Sequence, residues 1–196
     1  MRQILVPSLL AIALIAAIVP ISVLATHPNL TNAQIRIDDD KLRANLIAST
    51  IIPNGGASGY GIAKDTDSLL VVTTHAGVVD SEDQNFIADP IWHTHFVNLG
   101  SNSNCGDDPA VVDITWQSPG KATVEGKTIK LKGVPTDEFR GTHSITGAPF
   151  SYEQGETVAG VVSFHLAPVF TSAGLQAVCV TDITPADDFS VEVKDD

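Results

Sequence analysis

The sequence predicts an all-β protein, an antiparallel β-sandwich with one short helix near its N-terminus. Valine, isoleucine and threonine crowd a series of short apolar runs from Ser68 onward. Turn residues interrupt those runs about every 8 to 12 positions, the rhythm of sandwich and barrel strands. Helical periodicity is almost confined to one segment. At 196 residues the chain has the length of one domain.

Taken in order, residues 1–25 read as an export signal. Arg2 is their only charged residue, Ile4 to Leu24 is apolar apart from Ser8 and Ser22, and Val23-Leu24-Ala25 offers a peptidase site before Thr26. The run is also long enough to remain as an N-terminal anchor. Either outcome puts residues 26–196, a single sandwich domain, outside the cytoplasm, secreted or at the cell surface. Asn29-Leu30-Thr31 is an acceptor triplet for N-glycosylation.

Ala33 to Ile37 alternates as a first strand. Asp38-Asp39-Asp40 then precedes Lys41 to Ala48, where Leu42, Leu46 and Ile47 fall at helical spacing behind an aspartate cap. That is the predicted helix; a strand running on through Ile51 and Ile52 is the alternative. Pro53-Asn54-Gly55-Gly56 is a turn. The glycine-rich run from Ala57 to Gly61 fits neither a dinucleotide loop nor a nucleophile elbow. Gly126-Lys127-Thr128 ends like a phosphate loop, but Lys121 stands where the first glycine is required, so a nucleotide site is excluded. Strands are expected over 69–75, 91–99, 111–116, 122–124, 128–131, 144–145, 157–166, 175–181 and 189–193.

Residues 26–196 carry 10 Lys and Arg against 23 Asp and Glu, a formal charge of −13. Such a surface repels phosphate backbones and anionic lipid heads, which argues against nucleic acid and against the membrane beyond an N-terminal anchor. It attracts cations and keeps an exported protein soluble. Cys105 and Cys179, an even pair in an exported chain, predict one disulfide closing a loop of about 75 residues.

The sharpest chemical feature is Asp89 to Gly100, a strand carrying His93 and His95. Side chains alternate along a strand, so the two imidazoles point the same way while Trp92 and Phe96 point the opposite way, towards a core. Ile91, Val97 and Leu99 share the histidine face, so both faces are expected to be covered. Two neutral imidazoles on one strand face are a bidentate start for copper or zinc. A third ligand must converge from elsewhere. His75 is a candidate because its strand is expected to neighbour this one across the acidic loop 77–89. His165 is another, on the less apolar side of its strand. Asp80, Glu82 and Asp83 are the acidic candidates, and the same loop is dense enough in oxygen ligands to admit calcium. His143 reads as a loop histidine, and His27 as incidental. The only methionine is Met1, which excludes an axial thioether.

His93-x-His95 on a strand, then Gly100 and Cys105, then Cys179 in a late strand, resembles the layout of the copper–zinc superoxide dismutase family. The likeness covers those residues only. Gly106-Asp107-Asp108-Pro109 follows Cys105 with no histidine until His143, so the family's binuclear site has no counterpart. What the resemblance implies is architecture, an extracellular sandwich with one disulfide and a histidine pair.

No serine, cysteine or carboxylate pair stands in a recognisable catalytic context. Trp92, Trp116, Tyr60 and Tyr152 would suit a carbohydrate platform, but both tryptophans lie inside expected strands, as core residues do. Two function classes remain. One is a non-catalytic extracellular or cell-surface module packing against cell-envelope components. The other is an extracellular copper- or zinc-binding protein built on His93 and His95.

Overall fold

The computed structural model describes residues 27–75, 78 and 91–194, and every described element is a β-strand. In chain order they are β1 (Leu30–Asp38), β2 (Lys41–Ala48), β3 (Ala57–Ala63), β4 (Ser68–His75), β5 (His93–Gly100), β6 (Ala110–Ile114), β7 (Lys121–Glu125), β8 (Thr128–Pro135), β9 (Glu138–Thr142), β10 (Pro149–Glu153), β11 (Gly160–Thr171), β12 (Gly174–Pro185) and β13 (Phe189–Lys194). The expected export signal, the acidic residues Asp80, Glu82 and Asp83, and the calcium expectation for their loop lie outside the described residues.

The all-β class stands; the expected sandwich is not confirmed, because six of the strands close into a barrel. Six strands close on themselves in the order β11-β12-β6-β5-β4-β3, and five more form an open sheet in the order β13-β1-β2-β8-β7. Closure depends on β3 pairing with β11, from Gly160 opposite Ala63 to His165 opposite Ser58. That long-range pairing has no trace in local periodicity. β9 and β10 form a separate hairpin.

The predicted helix over Lys41–Ala48 is a strand. Its buried positions are Leu42, Ala44, Leu46 and Ala48, a period of two. A spacing of four is common to a helix face and a strand face, which is why Leu42 and Leu46 suggested the wrong element. Instead of capping, Asp39-Asp40 turns a tight hairpin in which Asp38 faces Lys41. Asp39 takes the left-handed φ of 52°, which aspartate tolerates better than most residues. β3, β9 and β10 were not expected as strands, and Ser144-Ile145, expected as one, is a turn.

Two hydrophobic clusters follow from strand alternation. The larger lies between the five-stranded sheet and the outside of the barrel, joining Leu30, Ile35, Leu42, Leu46 and Ile129 to Tyr60, Leu70, Val72, Trp92 and Phe96. The smaller lies inside the barrel and includes Leu69, Val71, Val97, Phe164 and Val180. β4 and β5 contribute to both, one face to each.

The barrel is least well joined where β12 meets β6. A single residue pair, Cys179 opposite Ala110, forms that ladder, helped by the Val180 N–H donating to the Pro109 carbonyl at 2.8 Å. The disulfide sits on this seam. Cys105, in the loop before β6, is bonded to Cys179, with Cα atoms 5.4 Å apart.

Candidate metal centre

Three histidines converge inside the barrel. Val71 pairs with His95 and Thr73 with His93 across β4 and β5, and His75 is the last residue of β4, diagonal to His93. Alternation puts Leu69, Val71, Thr73 and His75 on the lumen face of one strand, and His93, His95, Val97 and Leu99 on the lumen face of the next. All three imidazoles are buried, His95 completely. One ring nitrogen from each lies within 4.8 Å of those of the other two, so the group could hold a metal ion.

The backbone fixes which nitrogens converge. His75 Nδ1 lies 3.2 Å from the Val78 carbonyl, His93 Nδ1 3.0 Å from the Ile91 carbonyl, and His95 Nδ1 2.7 Å from the Thr115 carbonyl. A carbonyl oxygen only accepts, so these contacts assign the proton to each Nδ1, and in the neutral ring Nε2 is then the acceptor. A ligating histidine characteristically anchors its second nitrogen in this way. Thr115 is itself held: its N–H donates to the Phe96 carbonyl at 3.0 Å, and its hydroxyl accepts from the Phe96 N–H at 3.1 Å.

The consequence is electrostatic. His75 Nε2 and His93 Nε2 are 3.0 Å apart. Two unprotonated nitrogens at that distance present lone pairs to each other, which is unfavourable unless a proton or a cation lies between them. Two nitrogens bound to one tetrahedral zinc at 2.0–2.1 Å are about 3.3 Å apart, so the pair stands within a few tenths of an ångström of a chelating arrangement.

The other histidines are placed elsewhere. His165 is not part of the group. Val162, Phe164 and Leu166 take the lumen face of β11, so His165 points outward, its ring centroid 4.1 Å from that of His27. His27 is more than incidental: it is buried with both ring nitrogens lacking hydrogen-bond partners. Burial first, then the neighbouring His165, lower its pKa to about 4, with Asp182 opposing. His143 is structural. Its Nδ1 accepts from the N–H groups of Ile145 and Thr146, both at 3.1 Å, and its Nε2 donates towards the Val112 carbonyl at 3.2 Å. Trp92 stacks on Tyr60 and Phe96 on Tyr152, so these aromatics are core.

The residues that sequence reasoning missed are the glycines of β3. A Cβ on Gly59 would stand 2.6 Å from Phe164 Cζ, and one on Gly61 2.8 Å from Leu69 Cδ2. Ala57, Gly59, Gly61 and Ala63 thus give β3 a lumen face of small residues, which admits Phe164 and leaves room in the barrel. The alternation of Gly with Ser58, Tyr60 and Ile62 was the available signal.

A cavity of about 180 Å³ continues from the triad along the barrel. His75, His95 and Thr73 stand at the triad end, and the rest of the lining is mostly Leu, Val, Ile and Phe, with Thr66 and Ser144. No protein-family model, no curated protein and no solved structure matches this chain.

Proposed function

We propose that the protein is a metal-binding protein of the extracytoplasmic space, holding one copper or zinc ion on the Nε2 atoms of His75, His93 and His95. The single observation that carries this is the set of three buried imidazoles that offer ligand nitrogens within 4.8 Å of one another, each with its Nδ1 within hydrogen-bond distance of a backbone carbonyl. A histidine kept only for packing or hydrogen bonding has no need of that common arrangement. Imidazole donors suit zinc and copper and disfavour calcium and magnesium. The disulfide across the β12–β6 seam supports an oxidising compartment.

Metal analysis of the purified protein, followed by copper and zinc titration, tests the reading. The expected result is near-stoichiometric metal, lost in the His93→Ala, His95→Ala double variant. Protein that takes up neither ion, or a double variant that binds as well as the parent, refutes it.

A further inference from the structure

We infer that the barrel lumen is a pocket for a small, mainly apolar amphiphile of about seven carbons, whose one polar group meets the metal; this rests on the metal reading above. Protein interiors are packed as densely as organic crystals, and voids larger than a water molecule are few. A cavity of about 180 Å³ lying along the barrel axis is therefore a built feature. An apolar cavity of about 150 Å³ admits benzene, which scales to about seven carbons here. The walls carry Leu69, Val71, Val97, Phe164, Leu166 and Val180, which offer a guest dispersion and burial but no polar partner.

The polar groups are few. His75, His95 and Thr73 lie at one end, Thr66 and Ser144 elsewhere in the lining, so a guest finds hydroxyls away from the triad but a metal only beside it. Ile145 and Ile183 also line the cavity and are 64% and 45% exposed, apolar side chains standing where the lumen reaches solvent. The small lumen face of β3 lets Phe164 and Leu69 seat directly on Gly59 and Gly61, where an added Cβ would stand 2.6 and 2.8 Å from them, and larger side chains there would push both into the lumen. Mouths of β-barrels are a common setting for ligand sites of this kind.

The test uses the full exported protein loaded with cobalt(II), whose visible spectrum reports a new ligand, titrated with straight-chain carboxylates from acetate to dodecanoate. The expected result is a spectral change whose apparent affinity rises about fourfold per methylene, the equivalent of about 0.8 kcal/mol per buried CH₂, and stops rising near seven carbons. Equal affinity for acetate and octanoate, or chain-length-dependent binding that leaves the cobalt spectrum unmoved, overturns the inference. Failure to take up cobalt is read separately by metal content, and it overturns the metal reading together with this one. Leu166→Trp should shift the optimum several carbons shorter; Val97→Phe serves if that variant does not fold. An optimum that stays put in the folded variant refutes the lumen as the binding place.

Discussion

Replacing His93 by leucine separates a ligand from a histidine that merely packs. In metal-free protein the substitution removes the hydrogen bond from Nδ1–H to the Ile91 carbonyl at 3.0 Å, worth about 1 kcal/mol net. Against this it ends the 3.0 Å opposition of His93 Nε2 and His75 Nε2 and puts an apolar side chain of similar size into an apolar lumen. The two effects should leave the metal-free variant within about 1 kcal/mol of the parent. With zinc present at 100 times its Kd, the parent gains about 2.7 kcal/mol and the variant gains almost none of it. For a domain of this size that difference is about 5–11 °C in Tm. Thermal unfolding followed by circular dichroism, in EDTA and in zinc, reads all four values. A variant that costs as much in EDTA as in zinc shows that His93 serves the fold alone, and refutes the reasoning.

The Cys105–Cys179 bond closes a loop with a sequence separation of 74, worth about 4.5 kcal/mol in the chain-entropy model; Cys105→Ala with Cys179→Ala should lower Tm by about 9–18 °C, and hydrogen exchange should quicken first at Val180 and its neighbours on the β12–β6 seam. His27 has its pKa lowered to about 4, so as pH falls below its ordinary 6.5 the unfolded chain takes up a proton that the folded chain refuses. Stability is then complete above pH 6.5 and is lost progressively down to about pH 4; urea unfolding at pH 7.5 and 4.5 should show about 2 kcal/mol of this loss missing in His27→Phe. Gly59→Ala drives a methyl to 2.6 Å from Phe164 Cζ and should cost about 1–3 kcal/mol, most of it recovered by adding Phe164→Leu; chemical denaturation of the single and double variants checks both. His143→Ala leaves the N–H groups of Ile145 and Thr146 without their shared acceptor; the expected loss is about 1–3 kcal/mol, with faster exchange at those two amides.

What local pattern could state about this fold, it stated through strand parity. The two faces of β5 were separable at once, because a period of two puts Trp92 and Phe96 against the sheet and His93 and His95 in the lumen. The antiparallel pairing of β4 with β5, which brings His75 to the pair, followed from a single connecting segment. The same parity excludes His165, since Phe164 and Leu166 take the inner face of β11; what was missing was which face of β11 lines the barrel. That is a global property. Closure through the β3–β11 pairing joins residues about 100 positions apart, and β3 itself was hidden because its inward positions are glycine and alanine. Two cysteines admit one pairing, so the disulfide was legible, whereas its place at the thinnest seam was not.

The charge of the chain acquires a direction once the strands are placed. Over the described residues of the barrel segments, 57–75, 78, 91–114 and 160–185, six acidic residues (Asp65, Asp67, Asp107, Asp108, Asp113 and Asp182) stand against Lys64 as the sole basic one. The basic residues gather instead on the open sheet, where Arg36, Arg43, Lys130 and Lys132 share the outer face and pair with acids such as Asp38 and Glu125. The protein is thus polarised, with its negative surplus on the barrel. A field of that kind draws every cation towards the lumen without distinguishing one from another. Discrimination then belongs to the donors inside. Three imidazole nitrogens, held in one tautomer by backbone carbonyls, favour a borderline ion over the hard cations that the surface attracts equally. In this reading the acidic exterior sets how fast a metal arrives, and the buried triad sets which metal stays. Neutralising acidic residues around the barrel should therefore slow metal uptake at low salt and leave the preference for zinc or copper over calcium unchanged; stopped-flow uptake and competition titrations measure the two independently, and a change in preference without a change in rate would reverse the assignment.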